Sequence, residues 1–398
     1  MQKNKYLLLF NIILIGSSYG LNSDISQSPI QFNYANLYNF AGFSDGNEPF
    51  ASLLYGKDGN LYGTTQFGGI NNLGTVFMIT PDGKKTILYS FNGAYDGNTP
   101  QGKLTQDSSG NLYGTTLYGG VMSAGTVFEV SPNGKERVLY SFKNGSDGAN
   151  PTAGVTLDSS GNLYGTTKNG GNYDYGTVFK IDQQGNEELL YSFTGNNDGY
   201  FPVSDLIFAS DGNLYGTTML GGNLNCNSGL GCGTVFKITP QGLETVVYNF
   251  QGNSDGSVPM SGVILAKDGN LYGTTEFGGT ANCGTVYKIN THSNGVENVL
   301  YSFNGTSNGN SPYSKLIQGY DGSLYGTTEY GGVANSGLIF QVTLNGVEKN
   351  LYKFQTTNDG NSPYMGLAQD DSGNLYGTTE FGGMDNNGTI FKLSLAKK

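Results

Sequence analysis

Gly59-Asn60-Leu61-Tyr62-Gly63-Thr64-Thr65 is followed by Gly74-Thr75-Val76-Phe77 and then by Leu88-Tyr89-Ser90-Phe91. These three strings recur together along the chain. Leu-Tyr-Gly-Thr-Thr begins at Leu61, Leu112, Leu163, Leu214, Leu271, Leu324 and Leu375, with spacings of 51, 51, 51, 57, 53 and 51 residues. Gly-Thr-Val-Phe or a close variant begins at Gly74, Gly125, Gly176, Gly233, Gly284, Gly337 and Gly388. The Leu-Tyr-Ser-Phe type begins at Leu37, Leu88, Leu139, Leu190, Val247, Leu300 and Leu351.

Each unit reads as four short strands: Leu53 to Tyr55 after a Pro, Leu61 to Thr65, Thr75 to Ile79, and Ile87 to Phe91. The Asp58-Gly59-Asn60 and Pro81-Asp82-Gly83 turns between them are hairpin chemistry, because Gly accepts the positive φ such turns require. Tyr, Phe, Val, Ile and Thr suit strands, and no stretch carries a competing helical period. Four antiparallel strands recurring every 51 residues or so match a β-propeller blade. The glycine of each Leu-Tyr-Gly-Thr-Thr is expected to let neighbouring sheets approach near the centre. The chain opens with a lone fourth strand, Leu37 to Phe40, and closes with a third strand, Gly388 to Leu393. Pairing these ends completes a last blade and removes two open edges. The reading is therefore all-β: one seven-bladed β-propeller domain over residues 31–396, with the N-terminal strand closing the last blade.

Composition narrows the function. Among 398 residues there are 64 Gly, 28 Tyr and 22 Phe, no Trp, one His and three Cys. That aromatic content excludes a chain that stays unfolded. One His and three Cys leave few partners for zinc, haem or triad chemistry, and no cofactor or metal is expected. Residues 1–20 read as a cleavable signal peptide: Lys3 and Lys5, an apolar run from Tyr6 to Ile15, then Ser18 and Gly20 before the cut. Residues 21–30 read as a short linker. Cleavage would leave 18 basic against 31 acidic residues, a net charge of −13. Such a surface repels nucleic acid and anionic lipid. No stretch is long and apolar enough to predict a membrane span. A secreted or periplasmic monomer is expected.

Gly-Thr-Val-Phe-Lys-Ile, Leu-Tyr-Ser-Phe, Asp-Gly-x-x-Pro and Gly-Asn-Leu-Tyr-Gly-Thr-Thr together resemble the Gly/Val-rich GloVer tandem-repeat family of exported bacterial β-propeller-like proteins. The resemblance covers about nine tenths of the chain. It implies an exported, often surface-associated protein with no assigned biochemical activity. Members carry varied C-terminal anchors, whereas this chain ends Leu393-Ser394-Leu395-Ala396-Lys397-Lys398, so release is expected rather than attachment.

Strand order puts the second-to-third and fourth-to-first loops on one face, the longer-looped and better face for binding. The fourth-to-first loops carry Asp45, Asp96, Asp147, Asp198, Asp255 and Asp359, with Asn308 in the sixth. These acids read as loop-bracing residues rather than a cation-gripping ring. No Asp-x-Asp-x-Asp calcium loop is present. After Thr-Thr, three consecutive blades present Glu followed by an aromatic: Glu276-Phe277, Glu329-Tyr330 and Glu380-Phe381. A carboxylate beside a ring binds a sugar or a cation, and the competing reading is a solvated loop whose ring packs on the next blade. Three residues after each Pro come Ser52, Lys103, Gly154, Asp205, Gly262, Lys315 and Gly366. Pointing inward, they would line a mixed-charge or simply water-filled channel.

Cys226 and Cys232, six residues apart in the expanded loop of the fourth unit, suit a disulfide, leaving Cys283 over. His292 reads as an exposed turn residue. The leading function is a non-catalytic exported binding or interaction module for a glycan or protein. Alternatives are a carbohydrate-active hydrolase or lyase using Glu276, Glu329 or Glu380, and a structural surface component. The sialidase-type Trp box cannot occur without Trp.

Overall fold

The computed structural model describes residues 32–396 apart from residue 94, residues 292–294 and residue 356. The expected signal peptide, the linker, residue 31 and His292 lie outside the described residues. The chain forms seven four-stranded antiparallel sheets arranged as the blades of a β-propeller. In the first blade β2 (Leu54–Tyr55), β3 (Leu61–Thr65), β4 (Thr75–Ile79) and β5 (Lys85–Ser90) lie side by side in chain order. The second and third strands begin and end where the glycine turns place them. The fourth strand starts two residues earlier than its apolar pattern suggests.

The last blade is built from both ends of the chain. β1 (Phe32–Asn39) pairs antiparallel with the strand Thr389–Leu395, from Phe32 opposite Leu395 to Asn39 opposite Thr389. The seam is longer than Leu37 to Phe40 alone would give. Tyr34 lies on it, its ring stacked on Tyr352 of the sixth blade at 3.9 Å.

The core lies between blades. Each blade's third strand carries an aromatic ring that meets, edge to face, the Phe directly following the previous blade's fourth strand. These contacts are Phe40–Phe77, Phe91–Phe128, Phe142–Phe179, Phe193–Phe236, Phe250–Tyr287, Phe303–Phe340 and Phe354–Phe391, with centroids 5.0 to 5.5 Å apart. Such pairs contribute about 0.5–1.5 kcal/mol each beyond their burial. They cross every blade interface, including both flanking the seam.

The glycine of Leu-Tyr-Gly-Thr-Thr has a different cause from the one expected. A Cβ on Gly63 would lie 2.7 Å from Cζ of Phe77, its cross-strand partner, and 3.0 Å from Leu53. The glycine makes room for its own blade's ring rather than for the neighbouring sheet. Close approach of blades at the axis falls instead to glycines near the channel. A Cβ on Gly154 would sit 2.1 Å from the Lys103 carbonyl, and one on Gly262 2.6 Å from that of Asp205. The paired threonines also have a purpose: Thr65 and Thr75 share a buried hydroxyl hydrogen bond of 2.8 Å, and Thr65 reaches the Phe67 carbonyl. In the sixth blade Leu338 replaces the second threonine, and Thr328 keeps only the carbonyl contact.

Candidate functional site

The loops of one face are woven together. Each fourth-to-first loop bridges to the second-to-third loop of its own blade, as in Asn47 with Phe67, and reaches back to the previous blade, as in Glu48 N–H to the Asn387 carbonyl. The residue before the Pro of each fourth-to-first loop is held in the left-handed region, even Val258 (φ 57°) and Phe201 (φ 55°). Such a conformation is rare for β-branched or bulky residues. Hydrogen bonds on both sides of it, Val258 N–H to Cys232 O and Glu276 N–H to Val258 O, keep it there. The effect is to aim the residue after each Pro at the channel mouth.

A funnel of about 290 Å³ opens there. Phe50, Tyr313 and Tyr364, each directly following a Pro, form one wall. Tyr364 lies 4.8 Å from Phe50 and 4.4 Å from Tyr313 between ring centroids, so rings from three neighbouring blades make a continuous shelf. Met219 and Met260 lie on the lining of other blades.

Ser52, Lys103, Asp205 and Lys315 line the funnel at its neck, as the spacing from Pro suggests. Asp205 accepts from the Gly154 N–H at 2.7 Å and lies 3.8 Å from Lys315 Nζ. Ser52 accepts from the Gly366 N–H at 2.9 Å. The Lys103 ammonium makes no hydrogen bond or ion pair among the described residues. Burial, with Lys315 adding to it and Asp205 opposing, holds Lys103 below the ordinary lysine range.

Glu276, Glu329 and Glu380 sit at the edge of the shelf, outside the funnel lining. Glu276 and Glu329 are buried and Glu380 is half-buried. Burial, opposed by the Tyr313 hydroxyl and reinforced by Glu329, pushes Glu276 up to about 7. Burial, with Glu48 and Glu329 adding to it, pushes Glu380 up to about 7. Burial also raises Glu329, against a hydrogen bond from Tyr330. Four carboxyls, Glu276, Glu329, Glu380 and Glu48, thus form an arc in which neighbours sense one another.

The aromatic partners differ from those read off the sequence. Phe277, Tyr330 and Phe381 are partly exposed rim residues and do not line the funnel. The rings inside are Phe50, Tyr313 and Tyr364, which the sequence reading passed over. Their signal was available: in the seven fourth-to-first loops, three of the residues directly after Pro are aromatic, and the three blades are neighbours around the ring.

The repeated loop acids brace their own loops. The Tyr89 hydroxyl and the N–H groups of Asn92 and Gly93 donate to Asp96. Equivalent Tyr and N–H donors serve Asp45, Asp147, Asp198, Asp255 and Asp359. Asn308 accepts from the Asn304 N–H. Cys226 and Cys232 form a disulfide across the expanded loop, and Cys283 is a partly buried free thiol. Among the described residues no group of three or more His, Cys, Asp or Glu is placed to hold a metal ion. No described helix is long and apolar enough to cross a membrane.

The sequence matches the Gloeobacter/Verrucomicrobia repeat family over residues 9–230 and 225–398. No curated protein matches it. Among solved structures it is similar to a streptogramin B lyase (TM-score 0.61, 17% identity, covering 92% of this chain and 98% of that one). The virginiamycin B lyase of Staphylococcus aureus is similar too (TM-score 0.59, 18% identity, 92% and 100% covered). So is PorZ, a surface component of the type-IX secretion system of Porphyromonas gingivalis (TM-score 0.54, 13% identity, 90% and 48% covered). At these identities the likeness is one of fold alone.

Proposed function

We propose that this chain, which belongs to the Gloeobacter/Verrucomicrobia repeat family, is an exported, non-catalytic binding module that takes a glycan or protein ligand at the long-loop mouth of its channel. One observation carries the reading. The wall of Phe50, Tyr364 and Tyr313 stands over a charged neck in an otherwise repetitive ring. A concave apolar surface with a few convergent polar groups is what a small-ligand site requires. The basic and apolar start of the chain and the Cys226–Cys232 disulfide support export. The varied roles of proteins with this fold leave chemistry to be argued from the site itself.

Glycan-array and pull-down screening of wild type against Tyr313→Ala/Tyr364→Ala tests it. A ligand that binds saturably should lose at least ten-fold in affinity in the double variant while the melting temperature stays close to wild type. Undiminished binding in the double variant, or no saturable ligand across broad panels, rejects the site. Glu276 and Glu380, both held near neutrality, favour a second reading as a carbohydrate-active hydrolase or lyase. Turnover of a glycan abolished by Glu276→Gln with folding intact would put that reading first.

A further inference from the structure

The channel neck is an electrostatic exception. The chain carries a formal charge of −11, yet Lys103 and Lys315 converge at the neck with a single carboxylate, Asp205. That carboxylate is engaged by the Gly154 N–H and by Lys315. Lys103 is left with its ammonium facing a confined space and no partner among the described residues. Confinement beside Lys315, only partly offset by Asp205, disfavours the charged form of Lys103, and an entering anion paired with it restores that charge.

The same funnel is lined by the rings of Tyr313 and Tyr364, with Glu276 beside the Tyr313 hydroxyl. A ring face stacks on tyrosines, and a carboxylate accepts hydrogen bonds from hydroxyls. The site therefore gathers three chemistries in one funnel: a basic group at the neck, an aromatic shelf on the wall, and acceptors at the edge of that shelf. A third lysine on the funnel lining, Lys168, holds its ammonium over the Phe201 ring at 5.5 Å, so the neck itself offers Lys103 and Lys315 against Asp205. A multiply charged phosphate would also meet the carboxyls of Glu276, Glu329 and Glu380 at the rim. At about 290 Å³ the funnel is at the low end of ligand sites, of a size for one or two sugar rings.

Resting on the binding-module reading above, we infer that the funnel binds a sugar acid, a hexuronate or a short oligomer ending in one. Its carboxylate pairs with Lys103, its ring lies on Tyr313 and Tyr364, and its hydroxyls donate to Glu276.

Isothermal titration with glucuronate, galacturonate and their disaccharides, against glucose, galactose and the neutral disaccharides, tests this. Saturable uronate binding is expected, at least ten-fold tighter than the neutral sugar of the same ring. Lys103→Gln and Lys103→Met should each remove that preference, and Lys84→Gln, on an exposed turn, should keep it. Should both Lys103 variants unfold, the wild-type protein still decides. Uronate affinity must fall several-fold between 50 and 500 mM NaCl (on the order of the screening expected for a charge pair) while any neutral-sugar affinity holds steady. Neutral and acidic sugars binding alike and insensitive to salt would overturn the inference and leave the binding module standing. So would a different ligand, found by the array or pull-down, whose affinity depends on Tyr313 and Tyr364. No ligand dependent on those two rings would overturn both.

Discussion

Lys85 and Asp45 form a buried ion pair: Lys85 Nζ lies 2.9 Å from Asp45 Oδ1, and the Lys85 side chain is 2% exposed. The same ammonium donates to the main-chain carbonyl of Asp45. In the last blade Tyr34 occupies the equivalent position, and its hydroxyl donates to the Asp359 carbonyl at 2.5 Å. The slot at the head of the fourth strand thus holds a hydrogen-bond donor in both cases. In the five blades between, it holds Glu136, Glu187, Glu244, Glu297 and Glu348. The first four face Asp96, Asp147, Asp198 and Asp255; the fifth meets the Tyr301 hydroxyl. One oxygen of each glutamate is buried without a hydrogen-bond partner among the described residues. A glutamate can donate only when protonated.

Stability should therefore fall as pH rises from about 4.5 to about 7. Burial first, then the facing aspartate, pushes Glu136, Glu187, Glu244 and Glu297 up to about 7 from an ordinary 4.5. Between those two values the folded state holds protons that the unfolded state has lost, so the slope of stability against pH is negative there. The contribution is fully present below about 4.5 and gone above about 7. These groups are half-buried, so each is worth on the order of 1 kcal/mol after screening. Melting curves from pH 4.5 to 8 should decline, and Glu136→Gln/Glu187→Gln/Glu244→Gln/Glu297→Gln should flatten most of the decline. Glu276 and Glu380 leave a residual slope in the same window. A wild-type melting temperature that rises towards pH 8 contradicts the assignment.

Lys85→Glu should transplant that behaviour into the first blade. Breaking a buried pair by removing one partner costs about 3–5 kcal/mol, and the cation also lies over Phe40 at 4.9 Å. The new carboxyl, facing Asp45, can be protonated in acid but not in alkali. The loss relative to wild type should be larger at pH 8 than at pH 5. Lys85→Met, which cannot titrate, should show a loss nearly independent of pH over that range. Equal losses for Lys85→Glu at both pH values would mean that the slot does not select for a donor.

Tyr287→Phe should stabilise the protein by about 1 kcal/mol. Six of the seven interface rings on third strands are Phe, and Tyr287 is the exception. Its hydroxyl is buried without a hydrogen-bond partner among the described residues. A buried unsatisfied polar group costs about 1–3 kcal/mol, and deleting it keeps the edge-to-face contact with Phe250. Denaturant unfolding, with the midpoint moving up at unchanged slope, checks this. A lower midpoint would mean that the hydroxyl has a partner, such as a bound water.

These features differ in how plainly the sequence announces them. Leu61–Thr65 and Thr75–Ile79 are bounded by glycines with positive φ, so turn chemistry fixes their ends to the residue. Lys85 and Thr86 begin β5 although neither is apolar, because the strand edge there is held by pairing with Ile79 and Met78. The blade architecture was legible because it repeats. The funnel was half legible: the neck residues follow from their distance to Pro, but Phe50, Tyr313 and Tyr364 sit in loops whose repeated Asp draws the eye. The glutamate slot reads as an ordinary charged strand start, and only the juxtaposition with the preceding loop reveals two carboxyls in one place.

Removing β1 should open the ring. The strand Thr389–Leu395 would lose its partner along the whole of Phe32–Asn39 and present an unpaired edge. The stacking of Tyr34 on Tyr352 would go with it. Phe391 would lose Tyr34, whose ring centroid lies 6.0 Å away. An exposed strand edge invites pairing with another chain. A chain lacking residues 32–39 should therefore associate in a concentration-dependent way in light scattering and melt over a broader, lower range than wild type. A synthetic peptide of residues 32–40, which keeps Phe40, should add to that edge as a strand and restore both the monomer and the sharp transition. A truncated protein that stays monomeric and melts as the full chain does would mean that the seam contributes nothing, and that the aromatic contacts flanking it hold the ring closed by themselves.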